Sequence, residues 1–592
     1  MAIIGIDLGT TNSVVAVWED GESKLIENAF GEVLTPSVVS IDDNDNIIVG
    51  KIAKERMITN PNNTISVFKR TMGTDKKYKL GNNKYSSEEL SAYVIMQLKA
   101  DAEKYLGVEV EEAVISVPAY FDDKQRNATR LAGQIAGLKV RRLINEPSAA
   151  ALACRMCGKR KTNLELYVNG MQRNIKMNKE QDVDKTYMVF DFGGGTLDVS
   201  LVECFDNVIS VVAVSGNNKL GGSDIDIRIA KEFCVQNNIE YSSLSDESKA
   251  ILLKNAEVTK ISLSSNDEAT LHMDTDDLKG SITIDKAKLS QICSDILLLL
   301  IKPYQKVLLN SDFDKESIDD IVLIGGTGKM PLVSDYLEYK TGIKPVTIGT
   351  PDTMVALGLG AYVGIVERKD DIKDIIITDV CPFSLGISVL NRAEPCKDLM
   401  GVIIEKNTIL PTTKKHSFST AYDNQEKVCI EVYQGEDRYV DNNLFIDKFD
   451  VSMPKGPKGT KFTVSFSYDI DGILDVEVIL KDGKKINNVI VRNNNLSEEY
   501  INSMKEKFNN MKSNDGYSQE VIYVKELAES LYCQTSGKLR EAVNEIIYKY
   551  EMAIQNATPL NAKNYTNEAK LNLERIKEYI ENYGMKDDFN NF

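Results

Sequence analysis

Three consecutive glycines between two aspartates, at the end of an apolar strand, limit most strongly what this chain can fold into. The stretch VFDFGGGTLDVS covers residues 189–200. The stretch IIGIDLGTTNSVVAV, residues 3–17, repeats the order strand, aspartate, glycine, threonine, strand. Glycine inside a strand loses backbone entropy and packs no side chain, so a strand that only filled a core would be destabilised there. The repeat predicts two similar lobes with a ligand between them.

Both loops have the composition of phosphate-binding hairpins. Backbone N–H groups of glycine can approach phosphate oxygens closely, and threonine hydroxyls add donors. An aspartate at the strand end can hold Mg²⁺ through water, because Mg²⁺ loses its hydration shell reluctantly. The chain has no GxxxxGK[ST] motif, so these are not Walker loops. Two glycine-rich hairpins with surface acids remain the alternative on these residues alone.

Further glycine turns follow apolar or polar runs elsewhere. Gly221 and Gly222 lie in NKLGGSDID, and the pair at 325–326 follows the strand-like IVLI. Glu257, Lys260 and Ser264 have the spacing of one helical face, which is either a ligand face or a solvated one. Four glycine turns at strand ends favour the nucleotide interpretation.

Composition excludes several classes of function. The net charge of −17 argues against general binding to nucleic acid or to an anionic membrane. Two histidines in 592 residues leave carboxylates, lysine, threonine and a metal as the sources of chemistry. Nine scattered cysteines and an N-terminal run without a basic flank predict a reduced, cytoplasmic protein.

The pattern along the chain changes twice. Residues 1–370 alternate short apolar runs with helical periodicity, for example at 86–107, and predict an α/β domain. From 380 to about 490 the period is two, with a hairpin turning at Asp471-Gly472, and this predicts an all-β domain. After Leu496 the pattern is helical again.

Two local features complete this organisation. Ser497 is a plausible N-cap for the first of the C-terminal helices. The polar segment 159–185 interrupts the α/β pattern and predicts an exposed hairpin or loop.

Seven segments together resemble one known family, the DnaK-type 70-kDa heat-shock chaperones. They are GIDLGTTNS (5–13), ISVPAYFDDKQRNATR (115–130), RLINEPSAAAL (142–152), VFDFGGGTLDVS (189–200), IVLIGGTGKMPLV (321–333), FSTAYDNQ (418–425) and VYQGE (432–436). Within that family, residues 16–40 and 378–389 are most similar to the specialised HscC branch.

The resemblance implies a multidomain architecture. Residues 1–370 would form an actin-like, two-lobed α/β ATPase domain, and 371–379 an interdomain linker. Residues 380–495 would form an all-β sandwich that binds peptides, and 496–592 a C-terminal α-helical lid.

The resemblance also implies roles for individual residues in ATP hydrolysis. Lys69, Glu146, Asp191 and Thr196 would be catalytic, and Asp7 and Asp191 would hold Mg²⁺ through water. The ATP-binding positions would be Asp7, Gly9, Thr10, Thr11, Asn12, Gly193, Gly194, Gly195, Asp198, Gly221, Gly222, Glu257, Lys260, Ser264, Gly325, Gly326 and Asp352. Positioning and charge stabilisation supply most of the acceleration in phosphoryl transfer. Loss of Lys69 is therefore expected to spare binding and damage hydrolysis.

A second set of residues would bind peptide and couple the domains. Ile387, Phe418, Val428 and Ile430 would floor a cleft for extended peptides, and Leu390 and Ala421 would arch over it. The alternative for these apolar positions is an ordinary sandwich core. Coupling would run through the positions Pro118, Arg126, Ile375, Ile376, Ile377 and Asp379.

The chain departs from the common pattern in three places. Gly328-Lys329 stands where many members have Thr-Arg, which predicts weaker adenine contacts. The loop formed by residues 391–401 is longer than the usual cleft loop, which weakens the prediction that Leu390 forms part of the arch. The segment 159–185 is an insertion.

Three functions are compatible with these residues. The leading one is a chaperone that binds exposed hydrophobic segments and is controlled by ATP, with ATP/ADP and Mg²⁺ as cofactors. Its expected partners are unfolded or partly folded polypeptides, a J-domain co-chaperone and a nucleotide-exchange factor, without nucleic acid or membrane. An adaptor for one dedicated partner, with slow or uncoupled ATPase, is the alternative. A small-molecule kinase of the actin-like superfamily would leave the β-domain unexplained.

Overall fold

The computed structural model describes most of the chain. It covers residues 2–42, 44–159, 164–168, 171–175, 184–275, 278–370, 372–391, 393–394, 397–470, 472–490, 498–512, 516–535, 537–555 and 557–583.

The strands of the described residues are numbered in chain order. They are β1 (Ala2–Asp7), β2 (Asn12–Glu19), β3 (Glu22–Leu25), β4 (Thr35–Pro36), β5 (Val39–Ile41), β6 (Ile47–Val49), β7 (Thr64–Ile65), β8 (Lys77–Leu80), β9 (Asn83–Ser86), β10 (Val110–Val117), β11 (Lys139–Asn145), β12 (Leu164–Val168), β13 (Met171–Ile175), β14 (Lys185–Phe192), β15 (Leu197–Phe205), β16 (Val208–Asn217), β17 (Glu268–Asp274), β18 (Lys279–Asp285), β19 (Asp320–Ile324), β20 (Ile376–Val380), β21 (Leu385–Val389), β22 (Leu399–Ile404), β23 (Ile409–Leu410), β24 (Thr412–Ser419), β25 (Lys427–Gln434), β26 (Leu444–Ser452), β27 (Lys461–Tyr468), β28 (Leu474–Ile479) and β29 (Lys485–Ile490).

The α-helices are numbered in the same way. They are α1 (Lys51–Thr59), α2 (Ser87–Leu106), α3 (Asp123–Ile135), α4 (Glu146–Lys159), α5 (Gly222–Gln236), α6 (Asp246–Ser262), α7 (Lys286–Ile292), α8 (Ser294–Leu309), α9 (Pro331–Thr341), α10 (Met354–Val366), α11 (Glu498–Lys512), α12 (Gly516–Gln534), α13 (Gly537–Ile554) and α14 (Pro559–Tyr583).

Two six-stranded mixed sheets organise the N-terminal part. The first has the order β11-β10-β1-β2-β3, with β4 paired to β2, and the second has the order β19-β14-β15-β16-β20-β23. In each sheet a strand with aspartate at its last or penultimate position, β1 or β14, pairs antiparallel with the next strand and parallel with a later one. The two sheets therefore repeat one local topology, as the duplicated sequence unit predicts.

Helices α4 and α10 pack against each other and against both sheets. α10 contacts β1, β2 and β3, and α4 contacts β14, β15 and β16. Their small residues, including Ala149 and Gly358, allow a close approach, and a Cβ at Gly358 would lie 1.8 Å from the Ala149 carbonyl oxygen. This packing fixes how the two glycine loops face each other.

The strands β21 to β29, apart from β23, form two four-stranded antiparallel sheets. Their orders are β22-β21-β25-β26 and β24-β27-β28-β29, and they share one buried apolar cluster. The predicted hairpin is present as β27 and β28. Their antiparallel pairing begins with Tyr468 opposite Leu474 and continues to Thr463 opposite Ile479. Alternating apolar residues close this core because successive side chains of a strand point to opposite faces.

Several local predictions can be compared with the described elements. The helix predicted at 86–107 is confirmed as α2, with Ser86 as N-cap in a capping box and Gly107 as C-cap at φ 67°. Within 159–185 the described residues include β12 and β13, which pair antiparallel. Ser497 lies outside the described residues.

Helices α11 to α14 do not extend the sandwich. α12 packs against α1, and α14 packs against α6, so both lie on the N-terminal part of the chain. The sequence predicts a helical lid on the sandwich. In the structure, α12 and α14 instead contact the N-terminal α/β part of the chain. In the described part of the chain, no helix combines the length and the apolar character that crossing a membrane requires.

Candidate functional site

The two glycine loops touch each other between the sheets. The first loop connects β1 to β2 and contains Gly9, Thr10 and Thr11. The second loop, Gly193–Thr196, connects β14 to β15. A Cβ on Gly194 would lie 1.9 Å from the Thr11 hydroxyl oxygen, so no larger residue fits without a shift. The loops therefore converge on one small volume, where the Thr10 and Thr11 side chains lie against Gly195 and Gly194.

Three aspartates surround this volume at the strand ends. Asp191 and Asp198 are opposite each other in the β14–β15 ladder, and Asp7 ends β1. Ser116 donates to Asp7 Oδ1 at 2.7 Å, and the Tyr120 amide donates to Asp198 Oδ1 at 2.9 Å. The ladder holds Asp191 and Asp198 opposite each other, and both side chains are buried.

Burial strongly disfavours the charged form of these aspartates. It raises the pKa of Asp7 to about 7, with Glu146 adding to the rise and Lys69 opposing it. It raises the pKa of Asp198 to about 7 as well, and that of Asp191 well above its ordinary value. A group of buried carboxylates with raised pKa values is a suitable place for a cation.

A buried ion pair completes this end of the cleft. Lys69 Nζ lies 3.0 Å from Glu146 Oε1, and both side chains are almost fully buried. Lys69 comes from the 3₁₀ helix Phe68–Thr71, and Glu146 starts α4. The ring of Phe121 lies 5.6 Å from Lys69 Nζ and covers the pair on one side. This arrangement presents one fixed positive charge beside the two loops.

The second loop is anchored from three directions. The Gly222 amide donates to the Gly193 carbonyl at 3.0 Å, and the Thr327 hydroxyl donates to the same oxygen at 2.8 Å. The Ser223 hydroxyl donates to the Gly194 carbonyl at 2.7 Å. A Cβ on Gly221 would lie 2.4 Å from the backbone of Gly194, so the close approach requires glycine there.

The predicted nucleoside residues lie on the side of the second sheet. Lys260 pairs with Asp226 at 2.8 Å, and its Nζ lies 3.5 Å from the Gly222 carbonyl. Glu257 pairs with Lys254 at 3.0 Å, and the neighbouring lysines hold the pKa of this carboxyl far below its usual range. Ser264 lies in the turn beyond the end of α6, so the predicted continuous helical face stops before it.

The third glycine turn adjoins the same site. A Cβ on Gly325 would lie 2.8 Å from Asp191 Oδ1, and one on Gly326 would lie 3.1 Å from Asp352 Oδ1. Lys329, which replaces the usual arginine, forms an ion pair with Asp352. Lys329 is thus ion-paired with Asp352, a residue predicted to contact the nucleoside.

Sequence reasoning missed one contact across the cleft. Arg70 donates to the Gly195 carbonyl at 2.9 Å, and its NH2 group lies 2.6 Å from Asp224 Oδ2. Arg70 follows Lys69 directly, while Asp224 lies in α5 beside the second sheet. The only signal in the sequence is the pair of adjacent basic residues. Their pairing partner is a tertiary feature.

The site has the chemistry needed for a magnesium nucleotide. Asp198 Oδ2 is buried and has no hydrogen-bond partner, which leaves an acceptor for a donor or hydrated cation. Among the described residues, no three His, Cys, Asp or Glu side chains lie together as a direct metal cage. Mg²⁺ beside nucleotides is commonly held through water and phosphate oxygens, with only one or two protein carboxylates.

Comparison with known families identifies the chain. The family model described as Hsp70 protein matches residues 3–80 and 75–587. The chain belongs to the Hsp70 family. Members of this family are ATP-dependent chaperones that bind ATP or ADP with Mg²⁺ and act on unfolded polypeptides with the help of co-chaperones.

The predicted peptide-binding residues of this Hsp70 lie on several strands of the sandwich. Ile387 and Ile430 belong to the buried core, on the adjacent strands β21 and β25. Val428 and Phe418 are partly buried against that core. Leu390 is 51% exposed. Two of these side chains thus lie in the sandwich core, two are partly buried against it, and one leucine is exposed.

Ala421 lies in the loop after β24. Its amide donates to Gln425 Oε1 at 2.8 Å, which folds the loop back on itself. The loop brings Ala421 to the same end of the sandwich strands as Phe418, three residues before it. The roles of these residues in peptide binding stay predictions.

The predicted coupling residues lie together where the Hsp70 domains meet. Arg126 donates to the Phe121 and Ala119 carbonyls and to Asn145 Oδ1, the last at 2.6 Å. Ser148 donates to Asp379 Oδ2 at 3.2 Å, and burial raises the pKa of Asp379. Pro118 accepts the Phe121 amide in the turn after β10.

The later part of the segment predicted as a linker is the strand β20. In β20, Ile376 and Ile377 pair in parallel with Val208 and Ile209 of β16. Asp379 then pairs with Leu410 of β23. The later part of the segment predicted as a linker is therefore the fifth strand in the order of the second sheet, between β16 and β23.

Proposed function

We propose that this chain is an ATP-hydrolysing chaperone in which nucleotide state controls affinity for hydrophobic peptide segments. The observation that carries the proposal is the pairing of β20 with β16 on one side and with β23 on the other. The ladder of the second sheet thus extends to β23, and β23 is followed directly along the chain by β24 of the sandwich. A change in the second sheet can shift the position of the sandwich through β20 and β23.

The domain boundaries that accompany the proposal are those predicted from the sequence. Residues 1–370 form the ATPase domain, 371–379 the linker, 380–495 the sandwich and 496–592 the helical part. The described elements support this division, because β20 begins at Ile376 and α11 begins at Glu498. A place in the HscC branch belongs to the same proposal.

The residues of the cleft have distinct parts in the proposed reaction. Backbone amides and hydroxyls of the two glycine loops bind the phosphates, and Lys69, fixed by Glu146, places positive charge beside them. A hydrated Mg²⁺ held near Asp7 and Asp191 would neutralise phosphate charge. Thr196 and the carboxylates position the attacking water, and the paired loops limit solvent access.

The partners in the proposal follow from its cycle. Extended hydrophobic segments of unfolded polypeptides bind the sandwich through backbone hydrogen bonds and one apolar floor. A J-domain co-chaperone and an exchange factor would set the rates of hydrolysis and of nucleotide release.

Peptide release tests the proposal directly. A fluorescent hydrophobic heptapeptide is bound to the purified full chain, and its dissociation rate is measured with Mg²⁺-ADP and with Mg²⁺-ATP. We expect ATP to accelerate release at least tenfold, which lowers the barrier by about 1.4 kcal/mol. Tight binding at equal rates in both nucleotides would contradict coupling and favour the adaptor with uncoupled ATPase.

A further inference from the structure

The C-terminal helices lie across the two sides of the nucleotide cleft. Helix α1 belongs to the side of the first sheet, and α6, with Glu257 and Lys260, belongs to the side of the second sheet. These helices contact each other directly. Helix α12 packs along α1, and α14 packs along α6. We call α12 and α14 the clamp helices.

Polar contacts attach the clamp helices to α1. Lys51 Nζ lies 2.9 Å from Glu574 Oε1 of α14. The Thr59 hydroxyl donates to Glu526 Oε2 of α12 at 2.9 Å, and the Arg56 guanidinium pairs with the other oxygen of the same carboxylate. Both clamp helices are therefore fixed to the same short helix.

Glu55 is the centre of a second set of contacts. Its side chain is almost fully buried, and it pairs with Lys577 of α14 while accepting the Ser530 hydroxyl of α12 at 2.9 Å. A carboxylate buried in this way depends on both partners, because removing one leaves a buried charge uncompensated.

Apolar contacts reach from α1 through the clamp helices to α6. A single buried cluster combines residues of all four helices, and its members include Ile52, Ala53, Val258, Tyr523, Leu527, Leu531 and Ile580. Val258 is the contribution of α6. Cys533, near the end of α12, packs against the core of the second lobe. The clamp helices are therefore bound to both sides of the cleft.

This arrangement opposes opening of the cleft. Moving α1 away from α6 would expose the shared cluster to water on one side or the other. The same movement would strain the contacts of Glu55 with Lys577 and Ser530. A nucleotide bound between the two sides of the cleft can dissociate only when the sides that carry α1 and α6 move apart. The dissociation rate of the nucleotide should therefore depend on the clamp helices.

We propose that the clamp helices hold the two sides of the nucleotide cleft together and thereby slow nucleotide release within the same chain. The proposal rests on the proposed nucleotide-binding function. It gives the C-terminal helices a role distinct from covering a peptide, and it makes their detachment from α1 and α6 a step that precedes release.

Release of a fluorescent nucleotide from the full chain tests this proposal. The variant Lys577→Met removes the partner of Glu55 and keeps a long helix-compatible side chain. We expect mant-ADP to dissociate from it at least about tenfold faster than from the unchanged chain, measured by stopped-flow displacement with excess ADP. The matched control is Lys549→Met, which removes an exposed intrahelical pair with Glu545 in α13. It should release within about twofold of the unchanged rate.

A charge exchange separates the specific contact from general damage. Glu55→Lys combined with Lys577→Glu restores opposite charges. We expect it to reverse at least half of the increase in mant-ADP dissociation rate caused by Lys577→Met, compared on a logarithmic scale. Glu574→Gln, at a more exposed contact, should accelerate release by a smaller factor and remain folded. Unchanged release in both Lys577→Met and Glu574→Gln would overturn the clamp.

Failure of the proposed nucleotide-binding function can be distinguished from failure of the clamp proposal. Failure of the unchanged chain to bind mant-ADP at all would contradict the nucleotide function itself. Binding with identical release rates in every variant would contradict only the clamp. If Lys577→Met loses helical circular dichroism, the release rate of Glu574→Gln becomes the test of the clamp.

Discussion

Lys69 and Glu146 are 77 positions apart in the chain, yet they form the most deeply buried ion pair of the cleft. Burying two charges is costly, and the cost is offset only where geometry and further contacts are good. The pair is held between the 3₁₀ helix at Phe68 and the first turn of α4. A structural contact at this cost is best understood as serving the phosphate chemistry beside it.

Replacement of Lys69 tests this at the level of one residue. In Lys69→Met the positive charge beside the loops is lost while the apolar stem remains. We expect ATP hydrolysis in single turnover to fall by about 100-fold or more, because one preorganised charge is removed. Nucleotide affinity, measured by calorimetry, should change far less because the loops and the nucleoside side stay in place.

Lys77→Met is the matched control for this experiment. Lys77 lies in the same region, is half exposed and makes only a long contact with Glu89. Its hydrolysis rate should stay within about twofold of the unchanged chain. Normal hydrolysis in Lys69→Met would remove Lys69 from the proposed catalytic set.

The strand β20 shows how an element acquires a role from its neighbours. The three isoleucines at its start alternate in exposure: Ile375, just before it, is 6% exposed, Ile376 is 56% exposed and Ile377 is half-buried. Ile375 and Ile377 pack against the cluster that includes α4 and α10. One face of the segment is therefore attached to the ATPase domain, and the other face is free of that core.

This alternation yields a prediction within a single segment. Ile375→Asp places a charge in the buried cluster and should detach β20 from β16. We expect it to abolish the acceleration of peptide release by ATP while peptide still binds. Ile376→Asp adds the same charge one residue later on the exposed face and should retain most of the acceleration.

The measurement is the ratio of peptide dissociation rates in ATP and ADP for each variant. Equal ratios in Ile375→Asp and Ile376→Asp would show that docking of this face is not the coupling step.

At the scale of the whole molecule, the sandwich is docked on the ATPase domain beside the linker. The rings of Tyr120 and Phe383 lie 4.5 Å apart, and the Asp123 amide donates to Gln434 Oε1 at 2.9 Å. Lys406 Nζ lies 5.1 Å from the ring of Tyr120. Tyr120 also donates its amide to Asp198, so the docking contacts are one residue away from the nucleotide site.

The peptide cleft should be separable from this docked ATPase. Val428→Phe enlarges a half-buried side chain on β25 and should block the cleft, lowering heptapeptide affinity by at least about tenfold. Basal ATP hydrolysis should be unchanged, because Val428 lies outside the nucleotide site. Peptide affinity is measured by fluorescence anisotropy.

Cys429→Phe is the control on the opposite face of the same strand. Cys429 is exposed, so a larger side chain there should leave peptide affinity nearly unchanged. Peptide affinity unaltered by Val428→Phe would contradict the assignment of the cleft.

The sequence alone predicted those parts of the molecule that depend on neighbours in the chain. The capping serine and terminal glycine of α2, the hairpin of β27 and β28 and the two glycine loops follow from local rules of turns, caps and periodicity. The motifs also placed the chain in its family, which the family match bears out.

Other features were not predictable, because they depend on which surfaces meet. The end of α6 before Ser264 and the pairing of Lys329 with Asp352 are set by packing around them. The same holds for Arg70, whose partners Gly195 and Asp224 lie more than a hundred residues away.

Sequence therefore determined many of the elements, the two glycine loops and the order of the α/β, all-β and helical parts, because strand periodicity and glycine conformation are local properties. The tertiary structure decided how the domains sit together: β20 as a strand of the ATPase sheet, and the C-terminal helices on α1 and α6. These contacts join residues hundreds of positions apart, such as Glu55 and Lys577. Their energies come from burial and charge pairing between distant surfaces, which no local pattern in the chain encodes.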